Sequence, residues 1–171
     1  MNFDKTSLRL YAVTDRAWTG PLTLYQQVEA ALQGGATCVQ LREKQLDKDA
    51  FLAEARQIAA LCPRYGVPFI VNDDLDIALA CGADGVHVGQ DDLSAAEVRR
   101  RAGSRFIVGV SAHNAEEARL AEAAGADYLG AGAAVVSAIF GAPDITAACR
   151  ELRALADTMV QGGPPCRKEH L

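Results

Sequence analysis

Short apolar segments alternate with amphipathic stretches along most of the chain. Segments rich in β-branched and other apolar residues predict six strands, at residues 8–13, 37–41, 67–71, 84–88, 106–110 and 127–139. Between them hydrophobic residues recur at helical spacing, most clearly over residues 48–61, where Phe51, Ala55 and Ile58 fall on one face. Nearly all-apolar strands separated by amphipathic helices are typical of a parallel sheet covered by helices.

Capping residues mark the predicted helix starts: Asp47 and the pairs Thr23/Gln26, Ser94/Glu97 and Asn114/Glu117. A Gly-Ala-Thr or Gly-Ala-Asp entry to the next strand recurs at residues 35–37, 82–84 and 125–127. Such repetition fits either an open doubly wound sheet or a (β/α)₈ barrel. A dinucleotide-binding sheet usually carries GxGxxG after its first strand, where this chain has Val13-Thr14-Asp15-Arg16. The barrel is therefore favoured.

Size and composition narrow the function classes. The 171 residues, half of them hydrophobic, predict one α/β domain over residues 1–157 and a polar, turn-rich tail over residues 158–171. The net charge of −5 argues against non-specific binding to nucleic acid or to an anionic membrane. No apolar segment reaches the roughly 18 residues of a membrane span, and we expect no signal peptide.

The five cysteines lack metal-ligand spacing, and most lie in apolar segments: Cys38, Cys62, Cys81, Cys149 and Cys166. Buried free thiols of a reducing compartment are the expected state. Because we also expect no signal peptide, this predicts a cytoplasmic protein.

Polar residues stand where four successive predicted strands end. Arg42 and Lys44 follow the second strand, Asp73 the third, Asp92 the fourth and Ser111 the fifth. The carboxyl ends of neighbouring parallel strands lie about 4.8 Å apart at one edge, so these side chains form one arc. Cations that bind phosphate oxygens and carboxylates that bind Mg²⁺ predict a site for a Mg²⁺-diphosphate ligand.

Each of these residues also has a purely structural interpretation. Arg42 and Lys44 could form a solvated strand end paired with Glu43. The acidic pairs at residues 73–74 and 91–92 could be a helix N-cap and a turn, and Ser111 could be a turn hydroxyl. Four such sets on four successive strand ends favour the functional interpretation.

Two histidines lie near the predicted arc. His113 follows the fifth strand and could transfer protons there, although a lone histidine is more often a loop residue. His87 lies within the fourth strand, where a structural role in the barrel interior or against a helix is expected.

Taken together, several segments resemble the thiamine-phosphate synthase family over residues 8–156: YAVTD at 11–15, QLREK at 40–44, ND at 72–73, DGVHVGQDD at 84–92, GVS at 109–111 and VSAI at 136–139. The resemblance implies a TIM barrel that joins 4-amino-2-methyl-5-(diphosphooxymethyl)pyrimidine to thiazole phosphate and releases diphosphate. It also implies that Mg²⁺ is held by Asp73 and Asp92. Its implied pyrimidine-diphosphate residues are Gln40, Leu41, Arg42, Glu43, Lys44, Asn72 and Ser111, and Val136 and Ser137 would bind thiazole phosphate.

The chain departs from the family pattern after residue 132. A Thr-x-Thr-Lys loop, a helix and a strand with a Gly-Gly phosphate turn are expected there, but residues 128–140 form one uncharged segment. We interpret this segment as two strands fused by an internal deletion near residues 132–134, which shortens the barrel to about six βα units. The resemblance then implies impaired activity, and open strand edges predict self-association. Asp74 stands where the family often has arginine.

Two other functions remain open at this point. One is a thiazole tautomerase on the same fold, with His113 moving protons. The other is a non-catalytic protein that binds the pyrimidine diphosphate.

Overall fold

Six parallel strands form one sheet in which neighbours in sequence are neighbours in space. The computed structural model describes residues 5–18, 20–130 and 137–162. The strands are β1 (Tyr11–Val13), β2 (Cys38–Leu41), β3 (Phe69–Asn72), β4 (Gly85–Val88), β5 (Ile107–Ser111) and β6 (Tyr128–Gly130). They are ordered β1-β2-β3-β4-β5-β6. The six predicted strands are confirmed, with β3 and β5 each ending one residue later than predicted and the other four strands shorter than predicted.

Within the described residues, five helices connect successive strands and two follow β6. They are α1 (Leu24–Gln33), α2 (Lys48–Leu61), α3 (Leu75–Cys81), α4 (Ala95–Ala102), α5 (Ala115–Ala123), α6 (Ser137–Phe140) and α7 (Ile145–Gly162). Short 3₁₀ segments span Lys5–Leu8, Arg16–Trp18 and Cys62–Tyr65. The predicted caps are confirmed, because the side chains of Thr23, Asp47, Ser94 and Asn114 each accept a backbone N–H at a helix start.

The two faces of the sheet have different partners. Alternate strand residues such as Leu41, Val71 and Val88 pack against the helices in the main hydrophobic cluster. The residues between them point to the concave face, where Cys38, Ile70, Ile107 and Tyr128 form a smaller cluster with Tyr11. Strands β2 to β5 are thus buried on both sides over most of their length, which explains why their sequences are largely apolar.

The recurring Gly-Ala-Thr or Gly-Ala-Asp entries fasten the starts of the strands. The last residue of each entry makes two hydrogen bonds to one residue at the start of the preceding strand. Its backbone N–H donates to the carbonyl of that residue, and its side chain accepts the backbone N–H of that residue. The pairs are Thr37 with Leu10 (2.9 and 2.8 Å), Asp84 with Phe69 (2.9 and 2.8 Å) and Asp127 with Val108 (2.8 and 2.8 Å). These reciprocal bonds satisfy backbone groups that the parallel ladder leaves unpaired at its end.

The prediction of a strand through residue 139 is wrong in part, because Ser137–Phe140 is helical. Ile139 and Phe140 are both buried, in a cluster with Leu10, Ala12 and Cys149. Adjacent residues of a strand would point to opposite faces, whereas a helical turn lets both side chains enter the same cluster. Residues 131–136, where the proposed fusion falls, lie outside the described residues.

The chain's last described helix runs past the predicted domain boundary at residue 157. It ends at Gly162 and packs on α1. The rest of the predicted tail, residues 163–171, lies outside the described ranges. No helix within those ranges is long and apolar enough to cross a membrane.

Strands β1 and β6 lie at opposite ends of the sheet and are not hydrogen-bonded to each other through their described backbones. Curling nevertheless brings their side chains together, since the hydroxyl oxygens of Tyr11 and Tyr128 are 2.6 Å apart. The sheet is therefore a curled part of a barrel wall whose first and last described strands meet through side chains.

The prediction of free thiols is confirmed for the four cysteines that the structure describes. Cys38, Cys62 and Cys149 are buried, Cys81 is half-buried, and none is in a disulfide. Burial raises the pKa of Cys62 to about 12, so its reactive thiolate is rare at neutral pH. Cys166 lies outside the described residues.

Candidate functional site at the carboxyl ends of the strands

Gln40 and Asn72 place two amides side by side on the concave face. Gln40 is at the third position of β2 and Asn72 ends β3, and the Nε2 of Gln40 donates to the Oδ1 of Asn72 at 2.5 Å. Gln40 is buried, so this bond fixes the orientation of both amides. The bond uses the Oδ1 of Asn72 as acceptor and does not involve the N–H groups of that amide.

A carboxylate pair and a lysine lie next to these amides. The ammonium of Lys44 is ion-paired with Asp73, whose carboxyl group is also within hydrogen-bond reach of Asp92. Asp92 in turn accepts the backbone N–H of Gly89 at 2.7 Å. Burial raises the pKa of Asp73 and the Asp92 carboxylate adds to the rise, while Lys44 opposes it. Two carboxylates this close disfavour their joint ionisation unless a cation lies beside them.

The backbone at Asp73 is strained. Its φ of 64° lies in the left-handed region, which non-glycine residues rarely adopt. The N–H of Asp73 donates to the carbonyl of His87 on β4 at 2.8 Å, which holds the residue in place. Strain of this kind costs about 1–3 kcal/mol and is concentrated at functional sites.

The donor set fits Mg²⁺. Mg²⁺ is usually bound by one or two carboxylates together with substrate phosphates, rather than by a cage made of protein groups alone. In keeping with this, the described residues contain no group of three or more histidine, cysteine, aspartate or glutamate side chains that could hold a metal ion. Asp73 and Asp92 provide two carboxylates, and an added cation would relieve their mutual repulsion.

Arg42 and Glu43 point in different directions from the end of β2. The Nη1 of Arg42 donates to Asp15 at 3.0 Å, beside the rim and half-exposed. Glu43 accepts from Arg16 at 2.7 Å and from the backbone of the loop at residues 44–46. Arg16 also bonds Glu54 on α2. Glu43 therefore shapes the loop that carries Lys44, and its carboxylate is engaged within the protein.

Several predicted residues are placed away from the concave face or outside the described residues. The side chain of Leu41 is fully buried against the helices, so only its backbone could meet a ligand. Asp74 is the N-cap of α3, accepting the N–H of Ile77 at 2.9 Å. Val136 lies outside the described residues, and Ser137 is the first residue of α6.

Ser111, the last residue of β5, is joined to His87. Its hydroxyl lies 2.9 Å from the Nε2 of His87, whose Nδ1 lies 3.1 Å from the hydroxyl of Tyr128. Burial lowers the pKa of His87 to about 4, partly offset by Asp92, so the ring is neutral at pH 7. The interior alternative for His87 is confirmed, but its contact with Ser111 was missed. The alternation of side chains along a strand could have predicted the face on which His87 lies, because its neighbours Val86 and Val88 both face outward.

His113 stands apart from this group. It is exposed in the loop before α5, and its Nδ1 lies 3.1 Å from the carboxylate of Glu117. Glu117 also accepts its backbone N–H at 2.8 Å. These contacts are those of a residue that organises a helix start.

A cavity of about 690 Å³ lies away from the rim. It is bounded by the loop after β1 and the loop before α7, with Trp18, Leu22 and Phe140 among its lining residues. None of the predicted site residues whose side chains the structure describes lines it, and its described carboxylate, Asp144, accepts the N–H of Ala147 in α7. The strand ends, where charged and amide groups converge, remain the better candidate.

A curled parallel βα sheet with cations, carboxylates and amides at its carboxyl ends defines a βα-barrel protein whose candidate site lies at those strand ends. A family model described as thiamine monophosphate synthase matches residues 10–159. The chain therefore belongs to the thiamine monophosphate synthase family.

Relatives agree with this membership. The chain is 50% identical over 124 residues to a thiamine-phosphate synthase of Shouchella clausii, a match that covers 72% of this chain and 59% of that protein. It is 45% identical over 140 residues to one of Albidiferax ferrireducens, covering 82% of this chain and 62% of the relative. The chain thus spans about 60% of the length of these two relatives.

A solved structure shares the fold. The thiamine phosphate pyrophosphorylase from Pyrococcus furiosus superposes with a TM-score of 0.85 at 29% identity, covering 90% of this chain and 98% of that one. The expectation of a TIM-barrel-like α/β fold shortened to about six βα units is confirmed.

Proposed function

We propose that this chain is a thiamine-phosphate synthase that joins 4-amino-2-methyl-5-(diphosphooxymethyl)pyrimidine to thiazole phosphate and releases diphosphate. Family membership supports the reaction class. The observation that carries the proposal is the convergence of Gln40, Asn72, Lys44, Asp73 and Asp92 at adjoining strand ends. The free thiols suit a reducing compartment, so we place this activity in the cytoplasm.

The diphosphate would bind to the cations of the rim. Lys44 is now paired with Asp73, and Arg42 with Asp15. The side chains of both cations are more than one-third exposed. Each can therefore exchange its carboxylate partner for a phosphate oxygen at the protein surface. Mg²⁺ held by Asp73 and Asp92 would neutralise charge on the diphosphate.

The pyrimidine would lie over the amides of the concave face. Aminopyrimidine presents both hydrogen-bond donors and acceptors at its edge, and amide side chains offer both kinds of group. The bond between Gln40 and Asn72 holds these amides in one orientation before a ligand arrives. Such preorganisation lowers the entropic cost of binding.

The chemistry needs stabilisation of a leaving group more than it needs a protein nucleophile. The bond between the methylene carbon and the diphosphate oxygen breaks, and its electron pair leaves with diphosphate. The electron-rich pyrimidine stabilises the positive methylene, to which the thiazole nitrogen then donates its lone pair to form the new C–N bond. Lys44 and Arg42 offset the negative charge that develops on the leaving group.

The thiazole phosphate is proposed to bind through Val136 and Ser137, by resemblance to the family. The family's Thr-x-Thr-Lys loop has no counterpart in the sequence after residue 132. Loss of one preorganised donor alone can reduce turnover about 10²–10³-fold. We therefore expect turnover far below the ordinary enzymatic range of about 1–10³ s⁻¹.

The test is the formation of thiamine phosphate by the purified chain from both substrates and Mg²⁺, followed by chromatography. Slow formation that is lost in Asp92→Asn supports the proposal. Asp91→Asn is the matched control, because it removes the same charge from the neighbouring exposed position and should leave turnover unchanged.

Two other outcomes contradict the proposed reaction, and a third contradicts only the expectation of slow turnover. Binding of the pyrimidine diphosphate without any product identifies a non-catalytic binder. Isomerisation of a thiazole without use of the diphosphate identifies a tautomerase. Turnover within the ordinary enzymatic range would show that the expected Thr-x-Thr-Lys loop is dispensable.

A further inference from the structure

A row of hydrogen-bonding side chains crosses the concave face behind Ser111. His87 lies between the hydroxyls of Ser111 (2.9 Å) and Tyr128 (3.1 Å). The Tyr128 hydroxyl is 2.6 Å from that of Tyr11, which is also within hydrogen-bond reach of the thiol of Cys38. The row thus runs from the rim to the far side of the sheet.

The sequence makes space for this row. Asn72, His87, Gly109 and Tyr128 are consecutive partners in the register of β3 to β6. A Cβ on Gly109 would lie 2.1 Å from the Cζ of Tyr128 and 2.6 Å from the Nδ1 of His87. Only glycine between them allows the two rings to meet above the backbone of β5.

A neutral imidazole carries one N–H, so His87 donates one of its two hydrogen bonds and accepts the other. If every group in the row donates to the next, the donors can point in either of two directions along the row. In one, Ser111 donates to Nε2 of His87 and the Nδ1–H donates to Tyr128. In the other, Tyr128 donates to Nδ1 and the Nε2–H donates to the oxygen of Ser111. The second direction leaves the proton of Ser111 available to a ligand.

The second direction is chemically favoured. A phenol is more acidic than an aliphatic alcohol, so Tyr128 is the better donor to a basic ring nitrogen, and Ser111 has the better acceptor oxygen. The first direction would also require Tyr11 to donate towards the sulfur of Cys38, which is a weak acceptor.

We propose that His87 is a positioning residue whose Nε2–H holds the oxygen of Ser111, so that the serine hydroxyl donates to an acceptor atom of the bound ligand. Tyr128 fixes the tautomer of His87 from the other side. The side-chain amide of Gln90 donates to the backbone carbonyl of Ser111 at 2.6 Å and holds the main chain at this point. The part of this inference that takes a diphosphate as the ligand rests on the proposed function.

The first test is a double-mutant cycle with Mg²⁺ and inorganic pyrophosphate as the probe, measured by calorimetry. We expect Ser111→Ala and His87→Leu each to weaken binding about tenfold, and the double variant to bind no worse than Ser111→Ala alone. His87→Gln, which keeps a donor towards Ser111, should restore part of the affinity. If the two losses of affinity multiply in the double variant, the proposal is overturned. If His87→Leu fails to fold, the same cycle built with His87→Gln is the test.

The second test reads the tautomer directly, by ¹⁵N resonance of the imidazole nitrogens at pH 7. The Nε2–H form is expected with and without pyrophosphate, and Tyr128→Phe should introduce the Nδ1–H form. His113→Gln removes the signals of the other described histidine. An Nδ1–H tautomer or a charged ring in the unmodified chain contradicts the inference.

The two proposals fail separately. Absence of thiamine phosphate formation counts against the proposed function and leaves the tautomer measurement unaffected. Absence of pyrophosphate binding likewise counts against the proposed function, and the tautomer of the free protein then decides the role of His87.

Discussion

Asp73 combines three features that rarely occur together in a residue with a purely structural role. Its backbone is left-handed, its carboxyl faces Asp92, and its charge is balanced by Lys44. The structural interpretation, an N-cap, applies instead to the next residue, Asp74. The sequence alone could not separate the two, because both aspartates precede the same helix.

Replacing Asp73 with alanine should weaken Mg²⁺-dependent binding of the pyrimidine diphosphate at least tenfold, or about 1.4 kcal/mol. The reason is the loss of one of two carboxylates proposed to hold the metal. Calorimetry with and without Mg²⁺ measures the effect, with Asp91→Ala as the neighbouring control. Equal affinities in the two conditions for the unmodified chain would refute the metal assignment.

His87 should make the fold sensitive to acid. Its pKa is lowered to about 4 by burial, against 6.5 for the ordinary group. Between these values the unfolded chain holds a proton that the folded chain does not, so the free energy of unfolding decreases as pH falls from 6.5 towards 4. Full titration over this window corresponds to about 3 kcal/mol.

The sensitivity is measured by urea unfolding at pH 7 and pH 4.5 in the presence of a metal chelator. His87→Gln should lose about 2 kcal/mol less between the two pH values than the unmodified chain. Groups such as Asp73 titrate in both proteins and cancel in the comparison. Parallel pH dependence in the two proteins would contradict the burial of a neutral ring.

Strand starts are the elements most fully predicted by the sequence, through the Gly-Ala-Thr and Gly-Ala-Asp entries. Their mechanism became visible only in three dimensions, as paired bonds between Asp84 and Phe69 and their two counterparts. Helix caps were predicted equally well, because a cap is decided by residues three or four positions apart. The helix at Ser137–Phe140 was not, since an uncharged segment fits either a strand or a buried turn.

Asp84→Ala should lower the free energy of unfolding by about 1.5–3 kcal/mol, because the N–H of Phe69 loses a charged acceptor at 2.8 Å. Asp84→Asn keeps an acceptor oxygen and should lose less than half of that amount. Urea unfolding of the unmodified chain and the two variants measures the three free energies of unfolding. Equal losses in the two variants would mean that the charge, not the bond geometry, fastens the strand.

Gly109 and Gly130 offer a graded test of the row that contains His87. A Cβ at Gly109 would overlap the ring of Tyr128, whereas one at Gly130 would approach the Cε1 of His87 only to 3.0 Å. Gly109→Ala should destabilise the fold by about 1–3 kcal/mol through overpacking, and Gly130→Ala by less. Thermal unfolding compares them, and the reverse order would show that the rings have room to move.

At the scale of the whole molecule, the sequence predicted the barrel-type sheet and its site edge, but not how the side chains of its first and last strands meet. The contact between Tyr11 and Tyr128 joins residues 117 positions apart and depends on the accumulated twist of all six strands. For the same reason His87 could be placed on the interior face from alternation, while its partners could not be named.

The isolated chain is expected to self-associate. Within the described residues β1 and β6 are not paired through their backbones, and Leu129 on β6 and Leu120 on α5 are exposed at 40% and 63%. Unpaired strand edges next to apolar side chains favour association. Size-exclusion chromatography with light scattering at micromolar concentration should give a species larger than 18.1 kDa. A monomer that melts cooperatively at high temperature would contradict the idea of an open wall.

The fastenings at the strand starts bear on how such a protein can arise. Each one joins a strand only to its immediate predecessor, by a side chain carried in the short entry between them. The residues that align each strand therefore lie in a short repeated segment next to that strand, and they act independently of how many βα units follow. If a gene gains or loses a whole βα unit, the remaining strands keep their alignment. Barrels of this design can therefore change in size during evolution before their fold changes.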